Sequence, residues 1–292
     1  MTGITEQQNP KTLNIDKLSS IEIIELINRE DQTVPEAIQK CIPVITGFVS
    51  EVICRLDSGN SLFYIGSGTS GRLGILDAVE CVPTFSVPAD QVRGIIAGGR
   101  EAMFRSVEGA EDNESDGREA VIISGISGRD IVLGIAASST TPFVLAALKT
   151  AKEIGAFTGL LCCNEIQSPE YVDILIPVIV GPEVIAGSTR MKAGTATKLV
   201  LNMITTTTMI KLNKTYGNLM VDLKAWNQKL WDRGTRLVSH LTSLDYEKAN
   251  VLLKSCDGEV KTSVVAHKLN IDVETARLKI ISAKGSLRAL IG

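Results

Sequence analysis

The sequence has few aromatic side chains, few histidines and little net charge, and each shortage argues against a class of function. Phe, Trp and Tyr make up 4% of the 292 residues, and the formal net charge is −3. Nucleic-acid binding needs a basic surface or aromatic platforms for base stacking, and this composition indicates neither. The two histidines, His240 and His267, both fall in late helical segments. This argues against a histidine triad or a histidine-rich metal site.

The sequence also lacks a Cys-x-x-Cys motif and an N-terminal apolar segment. Residues 1–17 are polar and contain no apolar core of a signal peptide. No stretch approaches the roughly 20 apolar residues that span a bilayer. We therefore predict a soluble, cytoplasmic protein that binds neither nucleic acid nor a membrane. The cysteines form no Cys-x-x-Cys pair and have no regular spacing, which predicts reduced, buried thiols: Cys41, Cys54, Cys81, Cys162, Cys163 and Cys256.

Apolar residues make up 44% of the chain, and in its middle they alternate between short continuous runs and helical patterns. Continuous apolar runs are typical of parallel strands that helices cover on both faces. The pattern therefore predicts an α/β fold with a doubly wound parallel sheet. The predicted strands are Leu62–Ile65, Val92–Ile96, Ile131–Ala136, Phe157–Cys162 and Ile174–Val180.

Helical patterns flank these strands at both ends of the chain. Two helices are predicted within Ser20–Leu56, and a small helical domain is predicted at the C-terminus. We expect three regions: an N-terminal helical segment at 1–53, the α/β domain at 54–217 and a C-terminal helical region at 218–292. The other predicted helices are Ser70–Ala78, Pro142–Ile154, a run from Ser188 through Ile210, Leu219–Leu241, Tyr246–Leu253, Val260–Leu269, Val273–Ile281 and Ser286–Leu290.

A glycine-rich loop, Gly66–Arg72, follows the first predicted strand and opens a helix. Backbone N–H groups at a helix N-terminus bind anions, and the loop hydroxyls add further donors. The loop also matches the dinucleotide fingerprint, which requires an acidic residue at the end of the second strand. Here that strand runs into Ala97-Gly98-Gly99, and Asp90 lies before it. The pattern therefore favours a phosphorylated small molecule, with a dinucleotide or a merely structural turn as the alternatives.

Hydroxyl side chains also occur in two later loops. Residues 137–142 follow a predicted strand, and residues 187–190 lie at the start of a predicted helix. Ser and Thr at such positions commonly cap helices, but loops that converge at one sheet edge favour a phosphomonoester. The residues that we predict to bind the substrate are Ser67, Thr69, Ser70, Ser138, Ser139, Ser188, Arg190 and Lys192.

Two carboxylates, Glu80 and Glu111, are the candidate acid–base groups. Glu80 precedes Cys81-Val82-Pro83, where a helix is expected to end because proline disfavours helix in the residue before it. Glu111 lies in an acidic segment that resembles a turn. Each alone could be an ordinary solvated charge, and acid–base chemistry on a carbon skeleton needs both groups in one site.

These residues belong to a long, nearly colinear pattern that resembles the N-acetylmuramic acid 6-phosphate etherases, members of the sugar isomerase (SIS) fold superfamily. The pattern departs from the family at Val82, where a proline is usual, at Ser139-Thr140, where Gly-Arg is usual, and at Thr197, where Gln is usual. The matching blocks are 5–7, 9–10, 30–35, 66–78, 80–81, 96–99, 108–112, 134–138, 180–183, 187–196 and 218–222.

The resemblance implies a lyase that removes the D-lactyl ether from N-acetylmuramic acid 6-phosphate in cell-wall amino sugar recycling. Its catalytic glutamates fall on Glu80, as proton donor, and on Glu111. It implies no metal and no cofactor, a phosphorylated amino sugar as the small-molecule partner, and a homodimer. Two alternatives remain open at this point: an aldose–ketose phosphate isomerase of the same fold, and a non-catalytic regulator that binds sugar phosphates.

Overall fold

The computed structural model describes residues 3–223 and 227–292. They contain one five-stranded parallel sheet, whose strands lie in the order β2-β1-β3-β4-β5. Every residue of β1 and β3 is buried, as expected for strands with helices on both faces. The strands are β1 (Leu62–Gly66), β2 (Val92–Ile96), β3 (Ile131–Ile135), β4 (Phe157–Cys162) and β5 (Ile174–Pro177). The predicted α/β fold class and the positions of all five predicted strands are confirmed, but β5 ends at Pro177 rather than at the predicted Val180.

The helices agree with the sequence patterns in most places. The helices are α1 (Ser20–Asp31), α2 (Val34–Asp57), α3 (Gly68–Phe85), α4 (Glu114–Ile123), α5 (Pro142–Glu153), α6 (Lys192–Lys211), α7 (Gln228–Thr242), α8 (Tyr246–Ser255), α9 (Val260–Leu269), α10 (Val273–Ser282) and α11 (Leu287–Ile291). Short 3-10 helices lie at Ile4–Glu6, Ile15–Lys17, Gly99–Met103 and Ala110–Asp112.

Three helix predictions need correction, and one helix was missed. α6 begins at Lys192 rather than at the predicted Ser188. α3 does not end before Pro83 but runs to Phe85, and the Ser86 N–H donates to the Val82 carbonyl at 3.0 Å, which carries the helical pattern past the proline. α4 was not predicted at all. α7 begins at Gln228 rather than Leu219; residues 219–223 are not helical, and residues 224–226 lie outside the described part.

The chain divides into two compact units. The first contains the described residues up to Val79 and Ala89–Thr205, and its core lies between the sheet and the flanking helices. The second contains Glu80–Pro88 and Thr206–Gly292, with small cores among α7–α11. α1 and α2 therefore belong to the unit that contains the sheet. The functional domain boundaries at 53 and 217 stay a prediction.

Two further expectations from the sequence are corrected, one about apolar stretches and one about the cysteines. The segment Ser20–Asp57 is long and apolar enough to cross a membrane by length and composition, whereas no such stretch was expected. Within it, α2 buries one continuous face that includes Phe48 and Val52 and packs against β5, as a core helix does. Of the six cysteines, Cys54 is exposed and the other five are buried.

Candidate functional site

The sheet order places the candidate site at the point where the chain direction reverses. In the order 2-1-3-4-5 this switch point lies between β1 and β3, and ligands of such sheets bind beyond the carboxyl ends of the strands there. Ser67 connects β1 to α3, whose first turn carries Thr69 and Ser70, and the loop after β3 holds Ser138 and Ser139. Two of the three predicted hydroxyl loops therefore start at the switch point.

The β1–α3 connection is very tight. α3 begins at Gly68, so Thr69 and Ser70 lie in its first turn, where backbone N–H groups have no partner within the helix. A Cβ on Gly66 would lie 2.7 Å from the Gly71 backbone nitrogen, and a Cβ on Gly71 would lie 2.7 Å from the Gly66 carbonyl oxygen. Only glycine permits this approach, which brings the helix N-terminus to the end of the strand as an anion site requires.

Glu111 lies beside this loop. It belongs to the 3-10 helix Ala110–Asp112, which follows Gly109 in the left-handed conformation (φ 73°). The Ser67 hydroxyl donates to Glu111 Oε2 at 3.2 Å. The structure thus brings a predicted catalytic carboxylate to a predicted phosphate-binding hydroxyl, although the two residues are far apart in sequence.

Glu80 lies near the C-terminal end of α3, and its side chain is exposed. It belongs to the second compact unit, with the short segment up to Pro88. Its neighbour Cys81 is buried, so the helix face that carries Cys81 packs inward while Glu80 faces outward. The catalytic role of Glu80 stays a prediction.

The β3–α5 loop places its two serines differently. Ser139 is buried, adopts the left-handed conformation (φ 64°) and donates its hydroxyl to the Ser138 carbonyl, so it shapes the loop. The Ser138 hydroxyl is half-buried and accepts from the Thr140 hydroxyl at 3.2 Å. Ser138 is therefore the more accessible donor of this loop.

The third loop is linked to the second through residues that sequence analysis did not single out. The Asn164 side-chain amide donates to the Ser138 carbonyl at 2.9 Å, and the Thr5 N–H donates to the Asn164 amide oxygen at 3.2 Å. The Thr5 carbonyl in turn accepts from the Gly187 N–H at 3.2 Å, directly before Ser188. This chain of hydrogen bonds ties the second loop to the third.

The first and third loops meet at Gly194 in α6. A Cβ built on Gly194 would lie 3.5 Å from both the Thr69 methyl group and the Thr189 carbonyl oxygen. All three predicted hydroxyl loops are therefore neighbours in the first unit. Ser188 is half-buried and Arg190 is exposed, so both remain available to a ligand.

Lys192, the last of the predicted substrate-binding residues, is buried in an ion pair. Its side chain is 2% exposed, and its ammonium group donates to Glu30 Oε2 at 2.8 Å. Burial alone would raise the pKa of Glu30, but hydrogen bonds from Lys11, Lys192 and Asn9 outweigh it and lower the pKa to about 2. These contacts favour a structural role for Lys192 over direct contact with a ligand.

Glu183 fixes the start of the helix that carries Lys192. Its carboxylate is fully buried and accepts from the backbone N–H groups of Lys192 and Ala193, both at 2.9 Å. Burial raises the pKa of this carboxyl group despite those two bonds. An acidic group at a helix N-terminus also interacts favourably with the helix dipole. Glu183 therefore fixes the N-terminus of α6, which begins just after the third loop.

The donor groups of the site have the chemistry of an anion site. Among residues 3–223 and 227–292, no group of three or more His, Cys, Asp or Glu side chains is arranged to hold a metal ion. The polar groups that converge are hydroxyls, backbone N–H groups and one carboxylate. Such a set suits a phosphorylated polyol better than a cation.

A family model matches part of the chain. Residues 44–152 match the family described as glucokinase regulatory protein N-terminal SIS domain. A putative sugar-phosphate isomerase structure from Listeria monocytogenes is similar with a TM-score of 0.49 and 16% identity, covering 68% of this chain and 94% of that chain. The family match and the parallel sheet together indicate a domain of the SIS type.

Curated relatives identify the family within this class. An N-acetylmuramic acid 6-phosphate etherase from Rhodopirellula baltica is 46% identical over 288 residues, covering 98% of this chain and 95% of that protein. An enzyme of the same name from Salinibacter ruber is 47% identical over 291 residues, covering 98% and 93%. The chain belongs to the N-acetylmuramic acid 6-phosphate etherase family.

Proposed function

We propose that the protein cleaves the D-lactyl ether of N-acetylmuramic acid 6-phosphate and releases N-acetylglucosamine 6-phosphate and D-lactate. The observation that carries this proposal is the 3.2 Å contact between Glu111 and Ser67 at the N-terminus of α3. It supports Glu111 as a proton-transfer group within reach of a sugar whose phosphate the hydroxyl loops bind. The curated relatives support the same activity, whereas neither the isomerase nor the regulator alternative gains support from them.

In the proposed mechanism the two glutamates contribute only proton transfers to an elimination and a hydration. Once the sugar ring opens, the C1 aldehyde acidifies the C2 proton, which Glu111 removes. The C3–oxygen bond breaks, and the departing lactate oxygen takes a proton from Glu80. Water then adds to C3 of the unsaturated aldehyde, and a proton returns to C2. Phosphate held by the hydroxyl loops supplies binding energy that positions C2 and C3.

The activity is tested by following lactate release in isotopically labelled water. We expect free lactate, ¹⁸O in the new C3 hydroxyl of the sugar, and deuterium at C2 when the solvent is D₂O. Two glutamates can move protons at C2 and at the leaving oxygen, but they have little means to force water onto an unactivated ether carbon. ¹⁸O in the lactate hydroxyl, or complete retention of the original C2 hydrogen, would contradict elimination followed by hydration. No lactate at all would refute the proposed activity.

The phosphate cradle gives a second measurable expectation. Ser70→Ala and Ser138→Ala should each weaken binding of N-acetylglucosamine 6-phosphate by about 1–3 kcal/mol, because a charged acceptor loses a donor. Isothermal titration calorimetry measures the change. Ser50→Ala is the matched control: Ser50 is exposed on α2 and donates to the Thr46 carbonyl at 3.0 Å. Unchanged affinity in both cradle variants would show that these hydroxyls only cap or shape their loops.

The oligomeric state and location are part of the same proposal. We propose a cytoplasmic homodimer. Leu76 and Val79 are 52% and 60% exposed and lie close together in sequence on α3. Exposed apolar side chains that cluster on a helix are typical of a subunit interface. Sedimentation equilibrium at a monomer mass would refute the dimer.

A further inference from the structure

A small cavity lies beside the contact between Ser67 and Glu111. Its volume is about 170 Å³, and its lining includes Ser67, Arg72, Ser106, Glu108 and Glu111. Ser138 and Ser188 of the other hydroxyl loops are not among the described residues that line it. The cavity therefore lies between the first hydroxyl loop and the segment that carries Glu111, and it does not include the serines of the other two loops.

Arg72 is the cationic side chain among the described residues that line this cavity. It lies in the first turns of α3 and is half-buried. One guanidinium N–H donates to the Arg105 carbonyl at 3.2 Å. Within residues 3–223 and 227–292, Arg72 forms no ion pair with a carboxylate. A guanidinium group has five N–H donors, so most of its hydrogen-bonding capacity remains for a ligand.

Two carboxylates line this cavity and give it a negative charge. Glu111 and Glu108 both contribute carboxylates, and the Glu108 carboxylate already accepts from the Ser106 hydroxyl at 2.7 Å. A negatively charged substrate group that enters here is repelled by these charges unless a cation offsets them. Arg72 is placed to do so, and its planar fork fits a carboxylate with two parallel hydrogen bonds.

We propose that Arg72 binds the carboxylate of the lactyl group and so selects sugars that carry it. This inference rests on the proposed function. In the substrate, the carboxylate is attached to the carbon that carries the ether oxygen, so it must lie close to C3. Glu111 acts on C2, the adjacent carbon. A cation in the compartment of Glu111 is therefore near the lactyl carboxylate, while the phosphate at C6 is at the far end of the sugar.

The test compares two phosphorylated sugars that differ in the lactyl group. Arg72→Met should raise KM for N-acetylmuramic acid 6-phosphate about 10- to 100-fold, the range expected when a charged hydrogen-bond pair is lost. kcat should change much less, because the carboxylate is held in the ground state and the transition state alike. Calorimetric affinity for N-acetylglucosamine 6-phosphate should be unchanged. Arg72→Lys should recover part of the loss, since it keeps the charge but not the fork.

Arg105→Met is the matched control, because Arg105 is an exposed arginine on the neighbouring segment and pairs with Glu101. Equal loss of affinity for both sugars would overturn the proposal and assign Arg72 to the phosphate. Unchanged kinetics, or a loss that Arg72→Lys does not reduce and that accompanies a lower melting temperature, would overturn it in favour of a structural role. Lactate release by the unmodified protein is measured first, so failure of the proposed function is seen separately. If the unmodified protein releases no lactate, calorimetry with both sugars makes the same comparison of affinities.

Discussion

Turnover of N-acetylmuramic acid 6-phosphate should fall by about 100-fold or more when Glu80 or Glu111 is replaced by glutamine. Glutamine has nearly the same shape as glutamate but cannot exchange a proton at neutral pH. At position 111 its side-chain oxygen can still accept from the Ser67 hydroxyl, so the loop geometry is kept. The loss should therefore appear in kcat, while binding of the phosphorylated product stays close to that of the parent protein. Steady-state kinetics and calorimetry separate the two effects.

Glu114→Gln is the matched control for this pair. Glu114 is exposed, lies close to Glu111 in sequence and pairs with Arg118 on the surface of α4. An exposed pair of this kind contributes only about 0.3–0.5 kcal/mol to stability, so turnover should be unchanged. Near-normal turnover in Glu80→Gln or Glu111→Gln would remove that residue from the mechanism and leave the fold and phosphate site unaffected.

The strands and the hydroxyl loops could be predicted because each depends on local sequence. A strand buried on both faces appears as a continuous apolar run, and loops that follow parallel strands end at one edge of the sheet. The run Ile131–Ile135 is an example, since every one of its residues is buried. Ser138 follows it directly and lies at the switch point, as the pattern indicates.

α4 was missed because it has the composition of a surface segment and a glycine in its middle. Gly117 is required there: a Cβ would lie 2.2 Å from the Phe143 carbonyl oxygen of α5. The close approach of the two helices therefore depends on a residue that weakens helix propensity by about 1 kcal/mol. A local signal was nevertheless present, because Asn113 caps the helix by accepting from the Ser115 and Asp116 N–H groups.

The links between the loops could not be predicted, because they join residues that are distant in sequence. Thr5 and Asn164 are 159 residues apart, and Lys192 and Glu30 are 162 residues apart. The family resemblance included Thr5, Glu30, Glu183 and Lys192 in its matching blocks, but no periodicity shows which of them touch. From the loop sequence alone Lys192 resembles a phosphate ligand. In the structure Lys192 is paired with the buried Glu30, so a structural role can be tested by measuring unfolding.

The ion pair between Lys192 and Glu30 should be among the strongest single contributions to the stability of the first unit. Both side chains are nearly inaccessible, at 2% and 4% exposure. Glu30→Gln leaves the buried Lys192 ammonium group without this carboxylate, a loss that typically costs about 3–5 kcal/mol. After Lys192→Met the buried Glu30 carboxylate keeps Asn9 and the exposed Lys11 as partners. Lys192→Met and Glu30→Gln should both lower the midpoint of denaturant unfolding strongly. Lys11→Met is the control, because Lys11 binds the same carboxylate at 2.8 Å but is 65% exposed, so its loss should cost about 0–1 kcal/mol.

The same pair should make the protein sensitive to acid in a defined direction. The pKa of Glu30 is about 2 in the folded protein, against an ordinary value of 4.5. The unfolded chain therefore binds more protons between these values, and the stability that Glu30 contributes is present above pH 4.5 and lost as the pH falls toward 2. Unfolding midpoints measured across this range should fall less steeply in Glu30→Gln than in the parent protein. If Lys192 instead contacts the substrate and contributes little to the fold, Lys192→Met will leave the unfolding midpoint unchanged and weaken sugar-phosphate binding.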